Sequence, residues 1–133
     1  MRKLASRSVA TMLFVTLAAC SSPTAPAPGI QPQISSVADN FQYQVMSVQN
    51  YTGTASYSWQ NSGAQATVNQ ATTLTAGTAT VVLLDANGTQ VYSSSLSNNG
   101  TFTSSVGTAG AWTVRVSYSA ATSPSVNFRA QKF

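Results

Sequence analysis

The feature that most constrains the fold of this 133-residue chain is an alternation of apolar and polar side chains with a period of two. Apolar side chains alternate with Thr, Arg and Ser across residues 112–119, and residues 125–132 repeat the scheme. Because successive side chains of a strand point to opposite faces, this period predicts strands with one buried and one solvated face. The same alternation recurs in three shorter stretches: residues 41–45, 55–59 and 64–68.

Short polar sequences that favour turns separate these stretches. Asp-Ala-Asn-Gly at residues 85–88 and Ser-Asn-Asn-Gly at residues 97–100 end in Asn-Gly, which tolerates positive φ. The first predicts a hairpin with a type I turn and a glycine bulge, and Ser123-Pro124 is interpreted as the last connection. Together these signals predict an all-β fold over residues 38–133. We expect a single antiparallel β-sandwich of about seven or eight strands, immunoglobulin-like or jelly-roll-like.

Two stretches depart from simple alternation. After Val45 the apolar positions change phase to Met46 and Val48, which predicts a β-bulge. Residues 78–84 are apolar at both odd and even positions, which predicts a central strand covered on both faces. The chain has one cysteine, so it forms no internal disulfide and the domain must depend on its apolar core.

The beginning of the chain has the organisation of a secretory signal. Arg2, Lys3 and Arg7 form a positive region, and residues 9–19 form an apolar run of 11 residues, too short to span a bilayer. The run ends in Leu-Ala-Ala-Cys, and this order of features resembles the lipobox of bacterial lipoproteins. The resemblance implies that residues 1–19 are removed. It also implies that Cys20 becomes the N-terminus, carries a diacylglycerol thioether and is usually acylated on its amine, which gives stable membrane anchoring.

The segment after the cysteine predicts a spacer. Residues 20–37 are rich in Pro and Ser, and proline fixes φ and removes the amide donor, so this linker is expected to be extended. Ser21 follows the cysteine, which by the rule of the lipoprotein family favours sorting to the outer rather than the inner membrane. The alternative is an ordinary secretory signal with an incidental cysteine. Cleavage would then follow Ala27, where the next residue, Pro28, disfavours it.

The basic charge of the chain belongs mostly to this leader. Without residues 1–19, three basic residues stand against Asp39 and Asp85, which leaves a net charge of +1. A basic patch for nucleic acid therefore does not survive processing, and nucleic acid is not an expected partner.

The sequence lacks the side chains on which most enzyme sites depend. It contains no histidine and no glutamate, and the one cysteine is assigned to lipid. Zinc sites, Ser-His and Cys-His nucleophiles and the commonest general base are therefore excluded. A paired-carboxylate hydrolase would need Asp39 and Asp85 to converge, whereas Asp85 is better interpreted as a turn residue. We expect no enzyme, no cofactor and no metal site.

The aromatic side chains leave a binding role open. Trp59 and Trp112 are in phase with small or aliphatic residues and are predicted to lie in the core. Tyr51, beside Thr52-Gly53 in an expected loop, is the best candidate for an aromatic that faces a ligand. The aromatics considered for a sugar-binding platform are Tyr51, Tyr57, Trp59, Tyr92, Trp112 and Tyr118.

Residues 81–92 followed by 110–116 resemble hairpins of secreted bacterial β-sandwiches, including immunoglobulin-like and pre-peptidase-C-terminal-like modules. The resemblance implies a sandwich fold and transfers no functional residues. The first hypothesis is a lipid-anchored, non-enzymatic β-sandwich with a structural or binding role at the cell envelope, whose strand edges suit association with itself or with a partner protein. The alternative is a carbohydrate-binding lipoprotein, which exposure of Trp59 or Trp112 on a shared concave face would favour.

Overall fold

A computed structural model describes residues 30–133, which form seven β-strands and no helix. All strand pairings are antiparallel, which confirms the predicted all-β class and strand number. The expected signal, Cys20 and the first part of the linker lie outside the described residues. The strands are β1 (Gln33–Val37), β2 (Asn40–Asn61), β3 (Ala66–Gln70), β4 (Ala76–Leu84), β5 (Gln90–Ser95), β6 (Gly100–Thr103) and β7 (Gly110–Lys132).

The long strands β2 and β7 pair with each other along almost their whole length and form the centre of the sheet. β1 pairs with the first part of β2, β3 pairs with the last part of β7, and β6 pairs with β3. These strands make the first layer. The second layer contains the last part of β2, the first part of β7, and β4 and β5, which extend it in that order.

The two layers face each other because β2 and β7 bend together. Side chains from the first part of β2 contact side chains of the second layer: the Tyr43 and Tyr118 hydroxyls lie 2.7 Å apart, and the ring centroids of Phe41 and Tyr57 lie 6.0 Å apart. One continuous sheet therefore folds over on itself into a sandwich-like structure, with the core between its two halves.

The bend coincides with irregular pairing just after the predicted bulge; Val48 is buried in the new phase, as predicted, whereas Met46 is 62% exposed and the prediction that it turns inward is wrong. The β2–β7 register shifts on both sides of Tyr51, and Ser47, Asn50 and Ala120 have positive φ. Positive φ is unusual for residues with a Cβ and marks the places where each strand turns out of its plane. At Gly77, where φ is +69°, a Cβ would collide with the carbonyl of Ala120, so the adjacent β4 needs glycine here.

Two threonine hydroxyls take over hydrogen bonds that the regular ladder loses at the bend. Thr122 Oγ1 accepts the Asn50 amide at 3.1 Å, and Thr52 Oγ1 accepts the Ala120 amide at 2.9 Å. The backbone amides at the bend are satisfied in this way without a straight strand partner.

The predicted connection at Ser123-Pro124 is wrong, because β7 continues through both residues. Pro124 is exposed and has no pairing partner on β2, where the register passes from Val48–Ser123 to Met46–Ser125. A proline cannot donate to the ladder, so it is tolerated at this gap next to the bend. Residues 112–119 and 125–132 are therefore two halves of one strand.

The sheet also begins earlier than the expected boundary at residue 38. Gln33–Val37, assigned to the linker, forms β1 at the edge of the first layer. Its five side chains are all exposed, so the strand carries no alternation of buried and solvated positions that could reveal it in the sequence.

The predicted hairpin at residues 85–88 is confirmed. The Gly88 amide donates to the Asp85 carbonyl at 2.9 Å, Gly88 has a φ of +80°, and the β4–β5 register shifts next to the turn. Asn-Gly supplies the positive φ that closes this hairpin.

The core predictions for the two tryptophans are confirmed. Trp59 and Trp112 are 1% and 0% exposed and pack edge to face, with ring centroids 5.8 Å apart. β4 is a central strand, as predicted, but only its inner face is fully covered. Val82 and Leu84 on its outer face are half-buried, because no further layer among residues 30–133 packs over them.

Candidate functional site

One edge of the second layer has backbone groups that pair with no strand among residues 30–133. β7 pairs with β2 on one side, and on the other side β1 pairs with β2 only over Asn40–Gln44. Residues 52–57 of β2, here called the open edge, have no strand on that side among residues 30–133. Exposed strand edges offer backbone donors and acceptors to another chain.

Two hydrogen bonds near one end of the open edge show how its backbone groups are directed. The Gln60 carbonyl accepts the Asp39 amide at 2.8 Å, and the Ser58 carbonyl accepts the Ser36 hydroxyl at 2.9 Å. The backbone groups of residues 58 and 60 therefore point away from β7. The segment from Ser36 to Asp39 also closes this end of the edge.

The backbone groups of Thr54 and Ser56 point the same way. The β2–β7 register runs without a shift from Gly53 to Asn61, and the direction of the backbone groups alternates with each residue of an antiparallel strand. Thr54 and Ser56 therefore direct both N–H and C=O away from β7, and neither pairs with backbone in the described part of the chain. Two donors and two acceptors are left for solvent or a partner strand.

The outer face of the open edge carries small hydroxyl side chains. Thr52, Thr54 and Ser56 are exposed, and Thr54 Oγ1 donates to Ser117 Oγ at 3.1 Å. Many proteins protect an edge with lysine, an inward-pointing charge or proline, and residues 51–60 contain none of these. The protection present here is limited to shortness and the neighbouring bulges.

The inner face of the open edge is partly exposed. Gly53, Ala55 and Tyr57 are half-buried, and the Tyr57 ring packs 5.9 Å from the ring of Tyr43. Burial raises the pKa of Tyr57, with a smaller contribution from Tyr51. A strand added at this edge would cover the exposed part of this apolar face.

Tyr51, the aromatic predicted to face a ligand, lies directly before the open edge, in β2 rather than in a loop. Its ring is half-buried, packs edge to face against Tyr118 at 5.4 Å and lies directly over Gly53. One side of the ring is therefore occupied by its own chain. Whether the remaining exposed part contacts a ligand stays a prediction.

Beneath the open edge, two tyrosine hydroxyls form a buried hydrogen bond. Tyr43 Oη and Tyr118 Oη are 2.7 Å apart, and burial raises the pKa of Tyr43 far above its usual value and that of Tyr118 to about 12. Both phenols are neutral at physiological pH, so the pair links the layers and supplies no charge to the edge.

The two aspartates are built into separate turns. Asp39, between β1 and β2, accepts the Ser62 amide at 2.7 Å and the Ser62 hydroxyl at 2.9 Å. Asp85 accepts amides of its own hairpin and of Thr108. Backbone hydrogen bonds are the main reason why the pKa of each carboxyl is lowered. The two carboxylates share no hydrogen-bond partner, and within residues 30–133 no three His, Cys, Asp or Glu side chains cluster as metal ligands would.

A shallow depression of about 180 Å³ lies on the first layer, between β1 and the beginning of β2. Its lining side chains are Gln33, Ile34, Ser35, Gln42 and Gln44. Amides and a hydroxyl make this surface polar, but it lacks the aromatic side chains on which sugar rings stack and the enclosing walls of a ligand site.

Among the described residues there is no helix long and apolar enough to cross a membrane. Comparison of the chain with models of protein families, with curated proteins and with solved structures finds no match.

Sequence reasoning missed Gly53, Thr54 and Ser56 as residues of an open edge. A signal was present, because Thr52, Thr54, Ser56 and Ser58 form a regular series of hydroxyls without a charge. That series predicts a solvated face. Whether the strand is central or at an edge depends on long-range pairing, which the local pattern does not contain.

Proposed function

We propose that this protein is a lipid-anchored, non-enzymatic protein of the cell envelope that binds an extended protein segment along the open edge of β2. Cys20 anchors the protein in the outer rather than the inner membrane, and the linker separates the domain from the lipid. The observation that carries the binding role is the pair of residues Thr54 and Ser56, whose backbone groups face no strand of the described chain.

Strand addition suits this edge for a second reason. Backbone hydrogen bonds supply affinity, and alternate side chains supply specificity, so the mode requires no charged residues. The edge has none, and the domain offers little long-range steering because charged residues are so few. A partner recognised mainly through its backbone fits this surface.

The carbohydrate-binding alternative receives less support. Its discriminating feature was exposure of Trp59 or Trp112 on a concave face, and both rings are buried in the core. The depression near Gln42 and Gln44 offers amides without an aromatic platform. We therefore place protein binding at the open edge before glycan binding.

The proposal is tested by hydrogen exchange on isolated native envelopes and on purified protein diluted until it is monomeric. We expect the amides of Thr54 and Ser56 to exchange more slowly in the envelope, because partner carbonyls protect them. The matched internal control is β5, at the other edge of the same layer. Equal exchange of the open edge in both samples would contradict the binding role.

Mass spectrometry of the same envelope preparation tests the anchor. We expect a mature N-terminus at Cys20 carrying acyl groups, and we expect Cys20→Ser to remain an unprocessed precursor without lipid. A bare N-terminus in the wild-type protein, or normal maturation of the variant, would contradict anchoring and leave the result for the open edge intact.

A further inference from the structure

We infer that the strand which pairs with the open edge is the same edge of a second copy of this chain, related by a two-fold axis through Ala55. This inference rests on the proposed function and names its partner. In such a dimer, the second layers of two molecules join into one continuous antiparallel sheet. An interface of this kind is isologous, because the same residues form both sides.

The backbone of the open edge is complementary to itself when Ala55 lies opposite Ala55 of a second copy. With Ala55 opposite Ala55 of the second copy, Thr54 lies opposite Ser56 and Ser56 opposite Thr54. These are the residues whose N–H and C=O face outward, so each pair can exchange both of its N–H···O bonds. If one strand slid by one residue, an outward-facing residue would lie opposite one already bonded to β7.

A register in which one strand has slid by two residues toward Ser58 is less favourable. It would place Thr54 opposite Ser58, whose carbonyl already accepts the Ser36 hydroxyl at 2.9 Å. The segment next to Ser58 is also closed by the bond from the Asp39 amide to the Gln60 carbonyl. A register moved the other way would place Ser56 opposite Thr52, within the irregular pairing between Tyr51 and Gly53, so the local structure favours an axis at Ala55.

The inner-face side chains fit the same register. Ala55 meets Ala55 at a pair without mutual hydrogen bonds, where strands approach to about 4.5 Å between Cα atoms and small side chains are accommodated. Tyr57 lies opposite Gly53 and diagonal to Tyr51, whose ring lies over Gly53. Aromatic side chains on diagonal positions of neighbouring strands stabilise pairing, and the half-buried rings of both tyrosines lose water in the process.

The outer face fits as well. Thr54 and Ser56 lie opposite each other across the axis, so their hydroxyls can hydrogen-bond between the two copies. Residues 51–60 carry no charge, so the two paired strands bring no like charges of their own opposite each other. At β5, the other edge of the layer, the Val91 and Ser95 carbonyls are already bonded within the chain at 2.9 Å each, which leaves less capacity for a second copy.

A cysteine on the axis tests the inference in the full, membrane-extracted lipoprotein. In Ala55→Cys the two thiols of a dimer meet at a distance that permits a disulfide, and mild oxidation should yield about tenfold more linked dimer than Ser94→Cys, the matched control on β5. Ser94 is also half-buried and points to the inner face, but it lies on the other edge. Dimer yields are read on non-reducing gels.

A second substitution tests whether the backbone of the open edge forms the contact. Ser56→Pro removes the outward amide and leaves the pairing with β7 intact, so it should abolish cross-linking of Ala55→Cys while circular dichroism stays unchanged. Ser56→Thr keeps the amide and should preserve cross-linking. Equal yields from Ala55→Cys and Ser94→Cys, or cross-linking that survives Ser56→Pro, would overturn the inference.

The wild-type protein separates failure of this inference from failure of the proposed function. Lipidated Cys20 has no free thiol, so wild-type protein should give no linked dimer. A linked wild-type dimer would contradict anchoring, and Ala55→Cys in a Cys20→Ser background would then decide the pairing. Slow amide exchange at the open edge in envelopes, together with no cross-linking of Ala55→Cys, would mean that a different protein pairs with the edge. That result would overturn the inference that the partner is a second copy of this chain.

Discussion

At the scale of single residues, the aspartates considered as catalytic candidates stabilise turns instead. Asp85 is the clearest case, because its two carboxylate oxygens accept three backbone amides at 2.9 Å each, those of Asn87, Thr89 and Thr108. It thereby closes the β4–β5 hairpin and fastens the segment before β7 to it. The sequence predicted the turn role from Asp-x-Asn-Gly, while the bond to Thr108 spans 23 residues and follows only from the fold.

Asp85→Asn should lower the melting temperature at pH 7, because an amide replaces a carboxylate oxygen that accepts backbone N–H. The folded state lowers the pKa of Asp85. Its stabilising contribution is therefore present above the unfolded pKa of about 4 and is lost as pH falls through the lower folded value. We expect the melting curves of variant and wild type to differ at pH 7 and converge in acid.

The control for this titration is Asp39→Asn, which affects the other lowered carboxyl at a different turn. It should change the dependence of the melting temperature on acidic pH independently of Asp85→Asn, because the two aspartates share no partner. A difference between Asp85→Asn and wild type that stays constant down to the lowest pH would contradict a charge-dependent role.

At the scale of elements, the bend shared by β2 and β7 decides the architecture. The sequence revealed the change of phase after Val45 but divided each long strand into two, because polar residues and Pro124 interrupt the alternation there. Local patterns indicate which face of a strand is buried. They do not tell a turn from a bend, since both favour polar residues and positive φ, and the distinction depends on which strand continues alongside.

Ala120→Gly should raise the free energy of unfolding by up to about 1 kcal/mol, because Ala120 has a φ of +45°, a conformation that glycine adopts without steric cost. Ala121→Gly is the matched control. Ala121 is buried without positive φ, so the same change there should cost about 1–2 kcal/mol through lost burial and added chain entropy. Urea denaturation measures both, and equal signs would refute strain at the bend.

At the scale of the whole molecule, the central pairing joins parts of the chain that are far apart in sequence. Asn40 pairs with Gln131 and Asn61 with Gly110, while the strands between them fill the two layers on either side. The class of fold could be predicted from alternation and turns. The order of the strands, and therefore the location of the open edge, could not be predicted. The sequence around Thr54 and Ser56 would be the same in a central strand as at an edge.

Such long-range pairing should make folding slow. Loop closure must precede the contacts that stabilise it, so we expect refolding on the timescale of milliseconds to seconds, as in other β-sandwiches. Stopped-flow dilution from urea, followed by the fluorescence of buried Trp59 and Trp112, measures the rate. Folding within microseconds would show that pairing of β2 with β7 is not the limiting step.

The position of β7 has a consequence for the order of events in the cell. Both layers are built around this strand, yet the ribosome makes it after the six others. Until residues 110–132 have emerged, β2 lacks its main neighbour, and the β3–β6 and β4–β5 pairs lack the strand that joins them to it, so neither layer is complete. Synthesis and folding are thus separated in time, and we expect the sandwich to close only once residues 110–132 have been made.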